Sequence, residues 1–292
     1  MRVDLHTHSS RSDGVLAPAE LVRLAREVGL DALALTDHDS LAGLDEARQA
    51  GAELGVEVIA GVELSVRNHG SDEHLLGFFV DPEAPDLVAY LDELQATRHR
   101  MADQTLAALE RLGVAVDPGR VAELASGAVV TRPHIARAMV EAGHVGSEQE
   151  AFDRYLGSGK PAAIPRPSPD PMRAIQLVRA AGGVAALAHP VFPQDAGWPQ
   201  RLVSTPERLD RLQAAGLLAV ECSYPDATPE ITAQLLAWTR ERGLLAIGGT
   251  DYHGPDKAPF AQLGTVTVGE DVLTALRARS SVGPPPPPPP KR

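Results

Sequence analysis

The fold is decided by one stretch near the start of the chain, VDLHTHSSRSDGVLAPAELVRLAREVGLDALALTDH (residues 3–38). It begins with a short apolar run, VDLH (3–6), that predicts a strand. APAELVRLAREVG (17–29) has the apolar spacing of an amphipathic helix, and DALALTDH (31–38) predicts a second strand. A strand, a helix and a strand in this order predict a βαβ unit in a mainly parallel sheet.

The same alternation continues along most of the chain. We predict further strands in VEVIAGVELSV (56–66), HLLGFFVD (74–81), VAALAHP (184–190), LLAVECSY (217–224), LLAIGGTDYH (244–253) and the start of LGTVTVGEDVLTALRARS (263–280). Helical patterns lie between most of them. About seven parallel strands around one core predict an α/β protein with a (β/α) barrel, and an open doubly wound sheet is the competing architecture.

One long segment interrupts the alternation. Residues 85–170 contain helical patterns without a convincing strand, and they predict a small helical insert. The expected organisation is therefore a first barrel part (1–84), the insert (85–170), a second barrel part (171–279) and a tail (280–292). The tail, SSVGPPPPPPPKR, predicts an extended, disordered polyproline segment, more typical of a linker or tag remnant than of a ligand for another module.

Composition excludes several classes of protein. Of the 292 residues, 43% are hydrophobic, and 39 acidic against 27 basic side chains give a net charge of −12. This charge disfavours extended nucleic-acid binding but allows a local basic pocket for one or two phosphates. The single cysteine, Cys222, excludes an intrachain disulfide and a cysteine-built zinc site, and we expect no disulfide-linked partner. With neither a leader pattern nor a membrane-length apolar run, we expect a soluble, cytoplasmic protein.

Histidines and carboxylates follow nearly every predicted strand. His6 and His8 alternate at the end of the first strand, where side chains two residues apart share a face. An isolated pair of this kind is as well explained by two core histidines. The C-terminal ends of parallel strands, however, gather on one face of an α/β fold, so similar groups at four strand ends predict one metal centre.

Nine residues are candidate metal ligands: His6, His8, Asp13, His38, Glu63, His74, His189, Asp251 and His253. Because one ion needs only three or four protein ligands, this set predicts two or three divalent ions, with one carboxylate bridging. Nitrogen and oxygen ligands without sulfur suit manganese, iron or zinc. Two interpretations stay open for Asp4 and Asp37, which either orient ligand imidazoles or solvate the strand ends.

The motifs DLHTHSSRSDG (4–14), LTDHDS (35–40), GVELS (61–65) with HLLGFF (74–79), LAHP (187–190) and GGTDYHG (248–254) resemble those of a known family. This is the PHP (polymerase and histidinol phosphatase) domain of metal-dependent phosphoesterases. The resemblance covers residues 1 to about 280 and implies a distorted (β/α)₇ barrel, the PHP fold, with a trinuclear site at the C-terminal strand ends. Many members have a histidine in place of Asp13, and the aspartate form is more similar to the branch that acts on nucleotide phosphates.

The resemblance also implies how the nine ligands are shared among three ions. The first ion would take His6, His8, Glu63 and Asp251. The second would take Asp13, His38 and His253. The third would take His74 and His189, with Glu63 bridging to the first.

Four residues of the insert are candidates for substrate binding. Arg132, His134, Lys160 and Arg166 lie in TRPHIARAM and YLGSGKPAAIPR, where they suit a phosphate remote from the metals. The alternative is that they are solvated or paired with neighbouring acids. His134 is also the candidate catalytic residue that would protonate the leaving oxygen, although a metal-bound water would serve equally well.

The main functional hypothesis is a phosphatase that releases the 3′ phosphate of a small nucleoside 3′,5′-bisphosphate through metal-activated hydroxide. Three alternatives remain. The first is a 5′-3′ exoribonuclease acting on short 5′-phosphorylated RNA, and the second is a histidinol-phosphate phosphatase. The third is a non-catalytic, metal-binding regulatory module, which would be expected to have lost some of the ligands.

Overall fold

The computed structural model describes residues 1–68, 71–125, 130–164, 170–192, 201–202, 204–255 and 261–281. Within these ranges the strands are β1 Val3–Thr7, β2 Ala32–Leu35, β3 Glu57–Asn68, β4 Ser71–Phe78, β5 Val184–Leu187, β6 Val191–Phe192, β7 Arg201–Leu202, β8 Ala219–Ser223 and β9 Leu245–Gly248. The α-helices are α1 Pro18–Glu27, α2 Leu44–Leu54, α3 Pro85–Arg111, α4 Pro118–Leu124, α5 Arg132–Glu141, α6 Glu148–Ala151, α7 Pro171–Ala180, α8 Pro206–Ala215, α9 Pro229–Arg242 and α10 Glu270–Arg277. A π-helical turn, Phe152–Leu156, continues α6. Most of the tail, residues 282–292, lies outside the described residues.

Seven strands form one nearly closed sheet in the order β1-β2-β3-β4-β5-β8-β9. Its two ends meet beyond β1 and β9, where the N–H of His8 donates to the carbonyl of Tyr252 at 2.9 Å. Glycine at position 249 allows this approach, because a Cβ there would lie 2.5 Å from the backbone nitrogen of His6. The prediction of a distorted barrel is confirmed, and the open sheet is excluded.

One strand runs against the predicted direction. β4 pairs antiparallel with both β3 and β5, whereas the other pairs of the large sheet are parallel. Only two residues separate the end of β3 from the start of β4. A parallel crossover needs a dozen or more residues, so this connection can only return the chain as a hairpin. The expectation of about seven parallel strands was therefore wrong for this strand.

The strand predicted at the start of residues 263–280 is also shorter than expected. In the structure only Val268 pairs, through hydrogen bonds of 3.1 and 2.9 Å with the backbone of Val3. The short antiparallel pair of β6 and β7 was not predicted.

Helices α3 to α6 lie between β4 and β5 and build an apolar cluster of their own. That cluster includes Leu109 from α3, Ile135 and Met139 from α5, and Leu156 from the π-helical turn. The first turns of α3 pack differently, because Tyr90 belongs to the cluster between the sheet and its outer helices. We propose residues 85–170 as an inserted helical unit joined to the barrel through the first half of α3.

Candidate metal centre

The end of the barrel at which β1, β2, β5 and β9 finish collects all nine candidate ligands. Strands and the loops after them supply eight residues: His6, His8, His38, Glu63, His74, His189, Asp251 and His253. Asp13 comes from the loop between β1 and α1. The β1–β2 register shifts between Asp4 and Thr7, and such irregularities re-aim side chains beside functional sites.

The carboxylate of Glu63 lies at the centre of the cluster. Its Oε2 is 3.3 Å from Nε2 of His6, 3.2 Å from Nε2 of His8 and 3.0 Å from Nδ1 of His38. Its Oε1 faces another pair of imidazoles, 3.0 Å from Nδ1 of His74 and 3.1 Å from Nε2 of His189. Glu63 is fully buried, so one carboxylate serves both sides of the centre.

Two aspartates complete the cluster. Oδ1 of Asp251 lies 3.2 Å from Nε2 of His6 and 3.1 Å from Nε2 of His8. Oδ1 of Asp13 lies 3.2 Å from Nε2 of His253 and 3.9 Å from Nε2 of His38.

Three overlapping groups of ligand atoms, each within 4.8 Å of one another, could hold metal ions. They are His6, His8, Glu63 and Asp251; His8, Asp13, His38 and His253; and His38, Glu63 and His74. The first matches the set implied by the resemblance, and the second adds His8. In the third, His38 takes the place of His189, whose Nε2 nevertheless lies 3.3 Å from Nδ1 of His74.

The donor atoms fit divalent cations. Within the described residues, the buried atoms of the cluster without a hydrogen-bond partner include His6 Nε2, His8 Nε2, His38 Nδ1, Glu63 Oε2 and Asp251 Oδ1. Buried polar atoms without partners are costly, so their convergence indicates that something else satisfies them. Imidazole nitrogens and carboxylate oxygens are suitable ligands for zinc, iron and manganese.

Electrostatics in the cluster keep its carboxylates ionised. Burial alone would raise the pKa of Glu63, but His38, His74 and His6 outweigh it and hold that pKa well below its usual range. Burial opposes a proton on His8, yet Asp251 and Glu63 prevail and raise its pKa to about 10. In the metal-free protein such imidazoles hold protons that a metal must displace.

Asp4 follows neither of the two interpretations left open for it. It is fully buried and accepts hydrogen bonds from the backbone N–H of Thr250 at 3.0 Å, from its hydroxyl at 2.6 Å and from the N–H of Gly264 at 3.1 Å. Burial raises its pKa to about 6 despite these bonds. Asp4 thus fixes the turn that leads into Asp251.

Asp37 has a similar backbone role. It accepts hydrogen bonds of 2.7 Å from the N–H and hydroxyl of Ser9 and from the hydroxyl of Ser12. These bonds shape the loop between His8 and Asp13. Asp37 therefore positions ligands through the backbone rather than through an imidazole.

Sequence reasoning missed two charged residues beside the centre. Glu221, on β8, is fully buried, and both of its oxygens lie near Nδ1 of His6, at 3.1 and 3.2 Å. The available signal was a single glutamate within the apolar strand AVECS. Arg98, on α3, binds the buried carboxylate of Asp39 and donates to the hydroxyl of Ser65 at 2.7 Å. Asp39 thus anchors α3 to the loop after β2.

Of the four candidate substrate-binding residues of the insert, the structure places two, Arg132 and Lys160, near the same turn. Arg132 is exposed, and its Nη1 donates to the carbonyl of Leu156 at 3.3 Å, which places it beside the turn that leads to the exposed Lys160. Nδ1 of His134 accepts a hydrogen bond of 3.1 Å from the N–H of Thr131. Arg166 lies outside the described residues.

Comparison with known proteins identifies the family. The PHP domain model matches residues 4–118. A 5′-3′ exoribonuclease of Haemophilus influenzae is 37% identical over 255 residues, which cover 87% of this chain and 90% of that protein. The chain belongs to the PHP family. A 3′,5′-nucleoside bisphosphate phosphatase of Chromobacterium violaceum is 33% identical to this PHP chain over 255 residues, 87% of each.

A solved structure agrees with this assignment. A crystal structure described as a metal-dependent phosphoesterase from Bifidobacterium adolescentis has a TM-score of 0.85 at 32% identity, covering 95% of this chain and 96% of that one. This PHP protein is therefore a metal-dependent hydrolase of phosphoester bonds. None of the helices in the described ranges has the length and apolar character needed to cross a membrane.

Proposed function

We propose that this PHP protein hydrolyses the 3′-phosphate ester of a nucleoside 3′,5′-bisphosphate. The observation that carries the proposal is the convergence of three overlapping groups of ligand atoms at one end of the barrel, two of which include the buried carboxylate of Glu63. Two or three divalent ions, manganese or alternatively iron or zinc, would supply the charge that activates water and offsets the charge of the phosphoryl oxygens.

The chain's own residues would hold and orient this centre. Glu63 faces imidazoles on both of its oxygens, and Asp251 faces His6 and His8. Backbone bonds to Asp4 and Asp37 fix the two loops that carry the aspartates of the centre. Because these supports are buried, the ligands would keep their positions as substrate enters and product leaves.

The second phosphate of the substrate would be bound by the insert. Arg132 and Lys160 are exposed cations next to one turn, and we propose that they contact the 5′ phosphate together with Arg166. For His134, the bond that Nδ1 accepts from Thr131 leaves Nε2 as the atom that carries the proton in the neutral ring. We propose that this Nε2–H donates to the leaving oxygen.

A second candidate function is 5′-3′ exoribonuclease activity on short 5′-phosphorylated RNA. It is favoured by the 37% identity to the Haemophilus influenzae protein of that name. With a substrate that carries a 5′ phosphate, both reactions would open the ester at the 3′ oxygen of the first nucleotide. The net charge of −12 favours the smaller, mononucleotide substrate.

A nucleotide substrate and a free, buried Cys222 both suit a reducing compartment, and we propose a cytoplasmic location on that basis. A non-catalytic module is disfavoured, because such modules lose ligands and all nine are present here.

The deciding experiment measures phosphate release from adenosine 3′,5′-bisphosphate in the presence of manganese. Parallel reactions contain a short 5′-phosphorylated RNA, the same RNA with a 5′ hydroxyl, and a His6→Ala variant. If the bisphosphate is turned over faster than either RNA and His6→Ala is inactive, the result supports the phosphatase. Faster trimming of the 5′-phosphorylated RNA supports the exoribonuclease, and silence on all substrates with metal bound contradicts both.

A further inference from the structure

Glu221 is a fully buried carboxylate that belongs to none of the three groups of candidate ligand atoms. It lies on β8, where the pairing with β9 shifts register between Glu221 and Ser223. A buried carboxylate is costly to retain unless charge and hydrogen bonds compensate it. Its contacts therefore need a functional or structural reason.

The first contact is with His6. Both oxygens of Glu221 lie within hydrogen-bond distance of Nδ1, at 3.1 and 3.2 Å. The other ring nitrogen, Nε2, faces Glu63 at 3.3 Å and Asp251 at 3.2 Å. An ionised carboxylate can only accept hydrogen bonds, so a His6 ring that binds metal through Nε2 would keep its proton on Nδ1 and donate it to Glu221. This tautomer leaves the lone pair of Nε2 directed at the metal centre.

The second contact is with the backbone of another candidate ligand. Oε2 of Glu221 accepts a hydrogen bond of 2.7 Å from the N–H of His189. The imidazole of His189 lies on the opposite side of Glu63, 3.1 Å from Oε1. One carboxylate thus holds a side chain on one side of the centre and the backbone of a residue on the other side.

We propose that Glu221 is a positioning residue that sets the metal affinity of the centre by fixing the tautomer of His6 and the backbone of His189 together. The inference rests on the metal centre of the proposed function and is independent of the substrate. Carboxylates that accept from a ligand histidine raise its basicity and fix its ring, and their loss weakens metal binding by about 10- to 100-fold.

Glu221→Gln is the informative change, because an amide has nearly the same size but both donates and accepts. With its oxygen on the N–H of His189, its NH₂ group faces Nδ1 of His6 and favours the tautomer with the proton on Nε2, which cannot bind metal. In the opposite orientation, the NH₂ group of the new amide faces the backbone N–H of His189, so that two donors meet and neither has an acceptor. Either arrangement is expected to weaken metal binding, whereas the ligand atoms themselves are unchanged.

The test measures zinc binding to the full chain by competition with a chromogenic chelator. Glu73→Gln is the matched control, since Glu73 is also a buried glutamate but pairs with the guanidinium of Arg208 at 2.6 Å. We expect Glu221→Gln to raise the free zinc concentration at half loading by about 10- to 100-fold and Glu73→Gln to leave it unchanged. At saturating metal, much of the kcat of Glu221→Gln should return.

The outcomes separate this inference from the proposed centre. If the wild-type protein binds no metal, the centre itself is wrong. If wild type binds zinc and Glu221→Gln binds it equally well, with only a lower melting temperature of the metal-free protein, Glu221 is merely structural. Should the variant fail to fold, nitrogen NMR of zinc-loaded wild type decides: a proton on Nδ1 of His6 supports the proposal, and a proton on Nε2 overturns it.

Discussion

The guanidinium of Arg98, on α3, binds the buried carboxylate of Asp39, the residue that follows the candidate ligand His38. Nε of Arg98 donates to Oδ2 of Asp39 at 2.9 Å, and the N–H of Ser65 donates to Oδ1 at 2.8 Å. Asp39 also has a positive φ of 49°. The helical insert is thereby attached to the loop that presents His38.

Loss of this ion pair should destabilise the protein strongly. Arg98→Met removes the cation and leaves the Asp39 charge buried, which we expect to cost about 3–5 kcal/mol in free energy of unfolding. Urea denaturation measures the change. Adding Asp39→Asn, which tolerates the positive φ, should recover part of the loss. An equal effect of Arg154→Met, which breaks an exposed pair with Glu150, would contradict the special role of the buried pair.

Neutralising the central carboxylate should remove both metal and activity. Glu63→Gln keeps the volume of the side chain but takes away the charge that faces imidazoles on both sides. We expect metal content to fall and phosphoesterase activity to drop on the order of 10³-fold, equivalent to several kcal/mol of transition-state stabilisation. Elemental analysis and phosphate release measure the two effects. Glu57→Gln, at the start of the same strand, is the control and should retain both.

Much of the site could be predicted because its signal is local. Most candidate ligands lie at or just after the end of a short apolar strand, and parallel strands place such positions together whatever the details of packing. His74 lies instead near the start of β4, and the antiparallel direction of that strand brings it to the same end of the barrel. The direction of β4 could also have been predicted, because the seven residues between the two predicted strands (67–73) are too few for a parallel crossover. The sequence pattern of HLLGFF resembles a buried strand in either direction, so only the length of the connection distinguishes them.

The supporting contacts could not be predicted, because they join residues distant in the chain. Glu221 meets His6 across 215 positions, and Arg98 meets Asp39 across 59. Neither partner has a periodic or spaced pattern that marks it in advance. The sequence left open whether Asp4 orients an imidazole or solvates the strand end, and its carboxylate instead accepts hydrogen bonds from Thr250 and Gly264, which lie 246 and 260 positions away in the chain.

Metal-loaded and chelated protein should respond to pH in opposite directions. In the chelated protein, the raised pKa values of His8, about 10, and His189, about 9, stabilise the fold fully below the unfolded value of 6.5. This contribution is lost as pH rises above 6.5. Metal binding needs neutral imidazoles and strengthens as pH rises. The difference in melting temperature between loaded and chelated protein should therefore widen from pH 6 to pH 8.

Thermal denaturation with and without chelator measures this difference. The carboxylates Glu63 and Asp251, whose pKa values are lowered, stabilise the chelated protein above their unfolded values and lose that effect only in acid. Their contribution to stability is therefore constant between pH 6 and pH 8 and does not obscure the pH dependence that comes from the histidines. A difference that narrows as pH rises would contradict the assignment of these imidazoles as metal ligands.

Removing the charge of Lys160 should separate substrates with one phosphate from those with two. Lys160 is exposed on the turn after Leu156, so Lys160→Ala should leave the melting temperature unchanged. If its ammonium contacts the 5′ phosphate, KM for adenosine 3′,5′-bisphosphate should rise about tenfold, which corresponds to the loss of one charge-assisted hydrogen bond of about 1.4 kcal/mol. KM for an aryl phosphate, which has no second phosphate, should stay the same. Steady-state kinetics measures KM for both substrates, with Arg154→Ala, a change of another exposed cation, as control. Equal changes in KM for both substrates would show that Lys160 does not bind the 5′ phosphate.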